Sequence, residues 1–240
     1  MKTTTIRETS WKSLYQTGAI AALVAAILFR RNIGAEVSLF TGVEGIPRSA
    51  AEWFSLLQTN PFVGLSFLAV FDLFNYFLVA IVFLALAARL WQLNKSQTAM
   101  ALASGLVGIA VSFASNISFS MMSLSQQYAA ASGEAPRAAL LAAGQLLLAS
   151  SGAMANFPGT GTYMSYLLIA LAGVLLAGQM LPTHRTTAVF GLLAGGCDLA
   201  YCLTFALSPG LQVLFMASGG AFWMIWHLLV ARILWKHTKE

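Results

Sequence analysis

The chain has 240 residues, of which 58% are hydrophobic and only 9% charged, and its mean hydropathy is +0.76. Soluble domains carry roughly 25% charged residues, so a water-soluble fold is excluded: no soluble core of this size hides that much apolar surface. The 13 basic and 8 acidic residues give a net charge of +5, but the basic ones stand scattered at the ends of apolar runs. That is the pattern of membrane-topology signals and not of a nucleic-acid-binding patch.

Lys2, Arg7 and Lys12 precede the apolar stretch Ala19–Phe29, an arrangement that imitates a secretion signal. Arg30 and Arg31 follow at once without a small-x-small cleavage site, so the segment reads as an uncleaved first span, about 12–29. The connection 30–60 contains Glu36, Glu44, Glu52, a turn at Glu44-Gly45-Ile46-Pro47 and an amphipathic piece, Ala50–Leu57, with Trp53 and Phe54. That piece predicts a helix lying on the outer membrane surface. The second span, 61–91, opens with Thr59-Asn60 as cap candidates and Pro61 at the first helical position.

A third span follows at 98–124, where Asn116, Ser112, Ser115 and Ser120 suit hydrogen bonding between helices. The stretch 138–156 is Ala/Leu-rich and helical in pattern, yet it carries Gln145, Ser150, Ser151 and Asn156. Gly159-Thr160-Gly161 after Pro158 reads as a turn before the fourth span, 162–181. The fifth and sixth, 187–208 and 211–235, are joined by a tight Ser208-Pro209-Gly210 turn. Trp91, Trp223, Trp226 and Trp235 partly match an aromatic belt, and Ser104-xxx-Gly108 and Gly191-xxx-Gly195 read as close helix packing.

Loop charges set the orientation. With six spans and both termini cytoplasmic, the inner side collects Lys2, Arg7, Lys12, Arg89, Lys95, Arg185, Arg232, Lys236 and Lys239, and the outer side keeps Arg30, Arg31, Arg48 and Arg137. A seventh span at 138–156 would move Arg185, Arg232, Lys236 and Lys239 outside, against the positive-inside rule. The expected architecture is therefore all-α: one polytopic transmembrane domain over 1–240, with six transmembrane helices. Outer segments 30–60 and 125–161 supply amphipathic, interfacial or re-entrant helices.

Two acids interrupt the apolar spans. Asp72 and Asp198 each lie about eleven residues inside their predicted spans, near mid-bilayer at ~1.5 Å of rise per residue. Asp72-Leu73-Phe74-Asn75-Tyr76 parallels Asp198-Leu199-Ala200-Tyr201-Cys202, and the i+3 and i+4 spacings put the polar groups on one helix face. A charge at the bilayer centre costs at least ~2.5–3.5 kcal/mol, so such acids mark functional sites by default. In a three-plus-three split the two acids would sit on oppositely directed helices, the plan of an inverted repeat with a midplane site.

His227, one turn after Trp223, reads either as a proton relay towards the inner surface or as an interfacial histidine among tryptophans. Only three histidines exist, His184, His227 and His237, and no HExxH spacing, so no metal site is expected. No nucleophile elbow or glycine-rich nucleotide loop is found, no cofactor is implied, and catalytic residues stay unassigned. Cys197 and Cys202 would have Cα atoms roughly 8–9 Å apart on one helix, beyond disulfide reach.

Leu124-Ser125-Gln126-Gln127-Tyr128-Ala129-Ala130-Ala131, the Ala-rich helix from Arg137 to Leu148 and the closing helix after a Ser-Pro-Gly turn resemble the uncharacterised six-span bacterial proteins known as domain of unknown function 4386. The resemblance implies an integral bacterial inner-membrane protein, and it transfers no catalytic or binding residues.

The leading expectation is a protein of the lipid bilayer that binds or transports a small solute, proton or cation. Its candidate site residues are Asp72, Asn75, Tyr76, Asp198, Tyr201, Cys202 and His227. Two alternatives stand beside it: an intramembrane enzyme using the same acids on a lipid-like substrate, and a non-catalytic sensing or partner module.

Overall fold

The computed structural model describes residues 3–28, 47–151, 159–207 and 209–238, which contain ten helices and no strand. In chain order these are α1 Thr3–Leu28, α2 Ala50–Thr59, α3 Pro61–Phe67, α4 Val70–Leu90, α5 Lys95–Ser115, α6 Ser118–Ala130, α7 Glu134–Ser151, α8 Thr160–Met180, α9 Arg185–Leu207 and α10 Pro209–Lys236. Six segments are long and apolar enough to cross a membrane: Trp11–Leu28, Val70–Leu90, Lys95–Ala130, Thr160–Met180, Arg185–Thr204 and Leu214–Lys236. The chain is an all-α, multi-pass membrane bundle. Helix α7, which covers most of the ambiguous stretch 138–156, is not among the six. Most of the connection 30–60, with Glu36 and Glu44, lies outside the described residues, as do Asn156 and Ser208.

Two compact units emerge, one of residues 1–31, 74–110 and 164–240, the other of 32–73 and 111–163. Three of the four divisions fall inside α4, α5 and α8, so no linker composition could mark those three.

In the first unit α10 packs along both α9 and α1. Between helices in lipid, close approach and dispersion replace the hydrophobic effect as the driving force, so small residues line the seams. Gly191 lies against Ala177 and the Trp226 indole, Gly195 against Val174 and the Ala170 carbonyl, and Gly108 against Leu168 and Ile169. The core includes Phe83, Leu86, Leu176, Trp223, Trp226 and Leu234. At one end Thr98 Oγ1 donates to Gln179 Oε1 at 3.0 Å and Gln97 Nε2 to the Leu175 carbonyl at 3.0 Å, joining the start of α5 to α8.

In the second unit Ser49 caps α2, its hydroxyl accepting from the Glu52 amide at 3.3 Å. The apolar face expected on the membrane surface is instead covered by protein: Trp53 is 1% exposed and Phe54 0%, and α2 packs against α3, α6 and α7. Asn60 caps α3 with Pro61 in its first turn, as the sequence predicts. Between α6 and α7 the chain turns through Gly133 at φ +98, a left-handed conformation open to glycine.

Two predicted spans are broken. The span 61–91 divides at Leu68-Ala69, where Ala69 takes φ +63, and the span 98–124 divides at Asn116-Ile117. Each break frees backbone groups that lipid cannot satisfy, and side chains at the second break bond carbonyls of the first. Asn116 Nδ2 donates to the Ala69 carbonyl at 3.2 Å, and Ser118 Oγ to the Leu68 carbonyl at 2.6 Å. Asn116 Oδ1 also accepts from the Ser118 amide at 3.0 Å, the side chain taking over for the interrupted ladder.

Candidate functional site

Asp198 lies thirteen residues beyond Arg185, the first residue of α9, and is 9% exposed. Its Oδ2 accepts the Trp223 indole N–H at 2.6 Å, from the neighbouring helix α10. Indole nitrogen can only donate, so the direction of this bond is fixed, and a bond to an ionised carboxylate is roughly twice as strong as a neutral one. Gly219, one turn before Trp223, makes the approach possible: a methyl built there would come 2.6 Å from Asp198 Oδ1. The carboxylate thus fills the space left by a missing side chain.

An aromatic wall backs this pair. The Trp223 and Trp226 rings meet edge to face at 5.2 Å, and His227 meets Trp226 edge to face at 4.9 Å. His227 is 0% exposed, which corrects the expectation of an interfacial histidine: α10 turns the imidazole into the core. Its Nδ1 lies 2.9 Å from the Trp223 carbonyl, and a carbonyl only accepts, so Nδ1 carries the proton. Tyr201, one turn after Asp198, is buried and stacks edge-on with Tyr166 of α8 at 5.7 Å. Cys202 is buried, Cys197 half-buried, and both are free thiols.

Asp72 occupies different ground. The sequence places it mid-helix, but the break at Ala69 makes it the third residue of α4, and its amide donates to the Ala69 carbonyl at 3.1 Å. An acid in the first turn faces the positive end of the helix dipole. Asp72 is third in its helix and Asp198 fourteenth, so the expected match in helix position is lost. Asp72 belongs to the second unit, whereas Asn75, Tyr76 and Asp198 belong to the first. Asn75 is buried, and its Oδ1 has no hydrogen-bond partner among the described residues. Tyr76 is half-buried against the core of the first unit.

Trp223 and Gly219 were not singled out by the sequence as partners of the acid, although a signal for Trp223 exists. Asp198 lies twelve residues before Gly210 and Trp223 thirteen after it, and residues equidistant from a tight helical turn come level across the pair. A groove of about 630 Å³ between α6 and α7 is lined by Phe119, Ser120, Ser123, Leu124 and Leu146 among others. None of its lining residues titrates near neutral pH, so it offers no acid/base group for lipid chemistry. Among the described residues no group of three or more His, Cys, Asp or Glu could hold a metal ion. No family model, no curated protein and no solved structure matches the chain.

Proposed function

We propose that the protein is a carrier in a bacterial inner membrane, with both termini cytoplasmic, that moves a small solute or ion and uses Asp198 as its proton- or cation-accepting group. The observation that carries this reading is the buried Asp198 carboxylate bonded at 2.6 Å to Trp223 of the adjacent helix. An acid in a membrane span is costly to keep without a role. Loss of its charge, by a proton or by a cation that draws the carboxylate away, weakens a charge-assisted bond between α9 and α10. Ligand uptake is then coupled to the packing of that helix pair. Asp72, in the first turn of α4 beside the paired breaks, is a second coupling group.

The test is uptake of a labelled mixture of small metabolites into proteoliposomes under an imposed pH gradient. Asp198→Asn is expected to abolish gradient-driven uptake and Trp223→Phe to reduce it. Unchanged flux in Asp198→Asn and Asp72→Asn together would sink the coupling role.

The completeness of the Asp198–Trp223 bond favours a second reading, a non-catalytic membrane module in which the pair only ties α9 to α10. That reading predicts a lower melting temperature for Asp198→Asn and no gradient-driven uptake by the unaltered protein.

A further inference from the structure

At the end of the first unit where α4, α8 and α10 finish and α5 and α9 begin, basic side chains from three separate stretches of chain converge. Arg89, in the last turn of α4, donates its Nε–H to His237 Nε2 at 3.1 Å, just beyond the end of α10. The Tyr15 ring of α1 stands 6.4 Å from the His237 ring. His184, in the α8–α9 turn, feels the charges of Arg89, His237 and Lys236. Arg89 and Lys236 are exposed, and His184 and His237 half-buried.

No described carboxylate offsets this gathering. The one described acidic side chain of the first unit is Asp198, thirteen residues further along α9, roughly 20 Å away at helical rise; Glu8 and Glu240 lie outside the described side chains. Topology signals alone require basic residues on one side of the membrane but not their contact. Here an arginine is fixed by a histidine. The Nε bond leaves the guanidinium's terminal amines for another acceptor, and planar guanidinium is suited to bidentate phosphate recognition. The Lys236 ammonium supplies a second cation, and Tyr15 a phenolic donor at the same end.

We propose that this end of the first unit is a phosphate-binding site formed by Arg89, Lys236, His184 and His237. The phosphate is that of an anionic lipid headgroup at the membrane surface, or a free phosphate anion. Basic pockets between membrane helices hold lipid headgroups through the same chemistry. The site is separate from Asp198 and does not depend on the carrier reading.

The experiment titrates the full chain, purified in neutral detergent, with dioctanoyl-phosphatidylglycerol, dioctanoyl-phosphatidylcholine and inorganic phosphate. Phosphatidylglycerol is expected to bind at least about tenfold more tightly than phosphatidylcholine, and Arg89→Gln to weaken it about tenfold. Arg137→Gln, in the second unit, leaves that affinity unchanged. Competition by inorganic phosphate places both anions in one site, and phosphate binding without any preference for phosphatidylglycerol assigns the site to the free anion. Equal binding of the two lipids with no binding of phosphate overturns the proposal, as does an equal loss in Arg89→Gln and Arg137→Gln. Should Arg89→Gln fail to fold, Lys236→Gln tests the same site at an exposed position, with a several-fold loss expected and no loss overturning the assignment.

Discussion

The Asn116 side-chain amide donates to the Ala69 carbonyl at 3.2 Å, so one interrupted helix is held by the interruption of another. Asn116→Ala removes that donor and also the acceptor of the Ser118 amide. A buried group left unsatisfied costs about 1–3 kcal/mol, and lipid offers no water in compensation. The expected outcome is a lower melting temperature in detergent, with faster amide exchange at Asp72, whose N–H bonds to Ala69. Unchanged exchange there would show that the breaks hold without Asn116.

Ala69 at φ +63 carries a local cost of about 1–2 kcal/mol for an L side chain. A β-branched side chain is worse off there, so Ala69→Val is expected to destabilise by roughly another 1–2 kcal/mol. Ala69→Gly relieves the strain but loosens the unfolded chain by about 0.4–1 kcal/mol, so a small net gain in stability is expected. Thermal melts of the pair give the ranking, and equal melting temperatures for Val and Gly would contradict the left-handed backbone.

Trp223 and Asp198 are expected to behave as one unit in a double-mutant cycle. Asp198→Ala and Trp223→Phe each lose the same bond, so the double variant is less destabilised than the sum of the single ones. The interaction energy is about 1.5–3 kcal/mol for a bond to a charged group. Additivity within ~0.5 kcal/mol would show that the bond contributes nothing to stability.

Stability should also fall on the acid side through His184. Burial, and then the charges of Arg89, His237 and Lys236, hold its pKa below the usual 6.5. Below pH 6.5 the unfolded chain therefore binds more protons at this residue than the folded one, and stability declines with falling pH. The contribution is complete above pH 6.5 and is lost as pH falls through the folded value. His184→Gln flattens this part of the profile between pH 7 and pH 5 in thermal melts. A wild-type profile no steeper than the variant's over that range would refute the assignment.

The sequence carries the six apolar segments plainly, because twenty-residue apolar runs have few other uses. It hides the breaks for two different reasons. Leu68-Ala69-Val70 contains no glycine, proline or polar residue, so nothing local announces a left-handed alanine. Asn116 is visible as a polar residue suited to bonding between helices, and it does bond outside its own helix, but to a backbone carbonyl freed by a break that could not be foreseen. The acids are equally uneven. Asp198 keeps its place well inside a continuous helix, while Asp72 changes role from a mid-helix charge to a first-turn residue once the break is known. His227 shows the limit of composition: a histidine among tryptophans reads as interfacial until helix rotation turns it inward.

The contact between α1 and α10 has a consequence for biosynthesis. Residue 28 ends the first helix and residue 209 begins its partner, so 180 residues must be made between them. At about 5–20 residues per second that interval is roughly 10–40 s. Gly18, which finally lies inside the protein, meets Ala85 of α4 and Leu234 of α10, so one of its neighbours is made early and the other only after that interval. The seam of the first helix to emerge is closed only when the last helix is made.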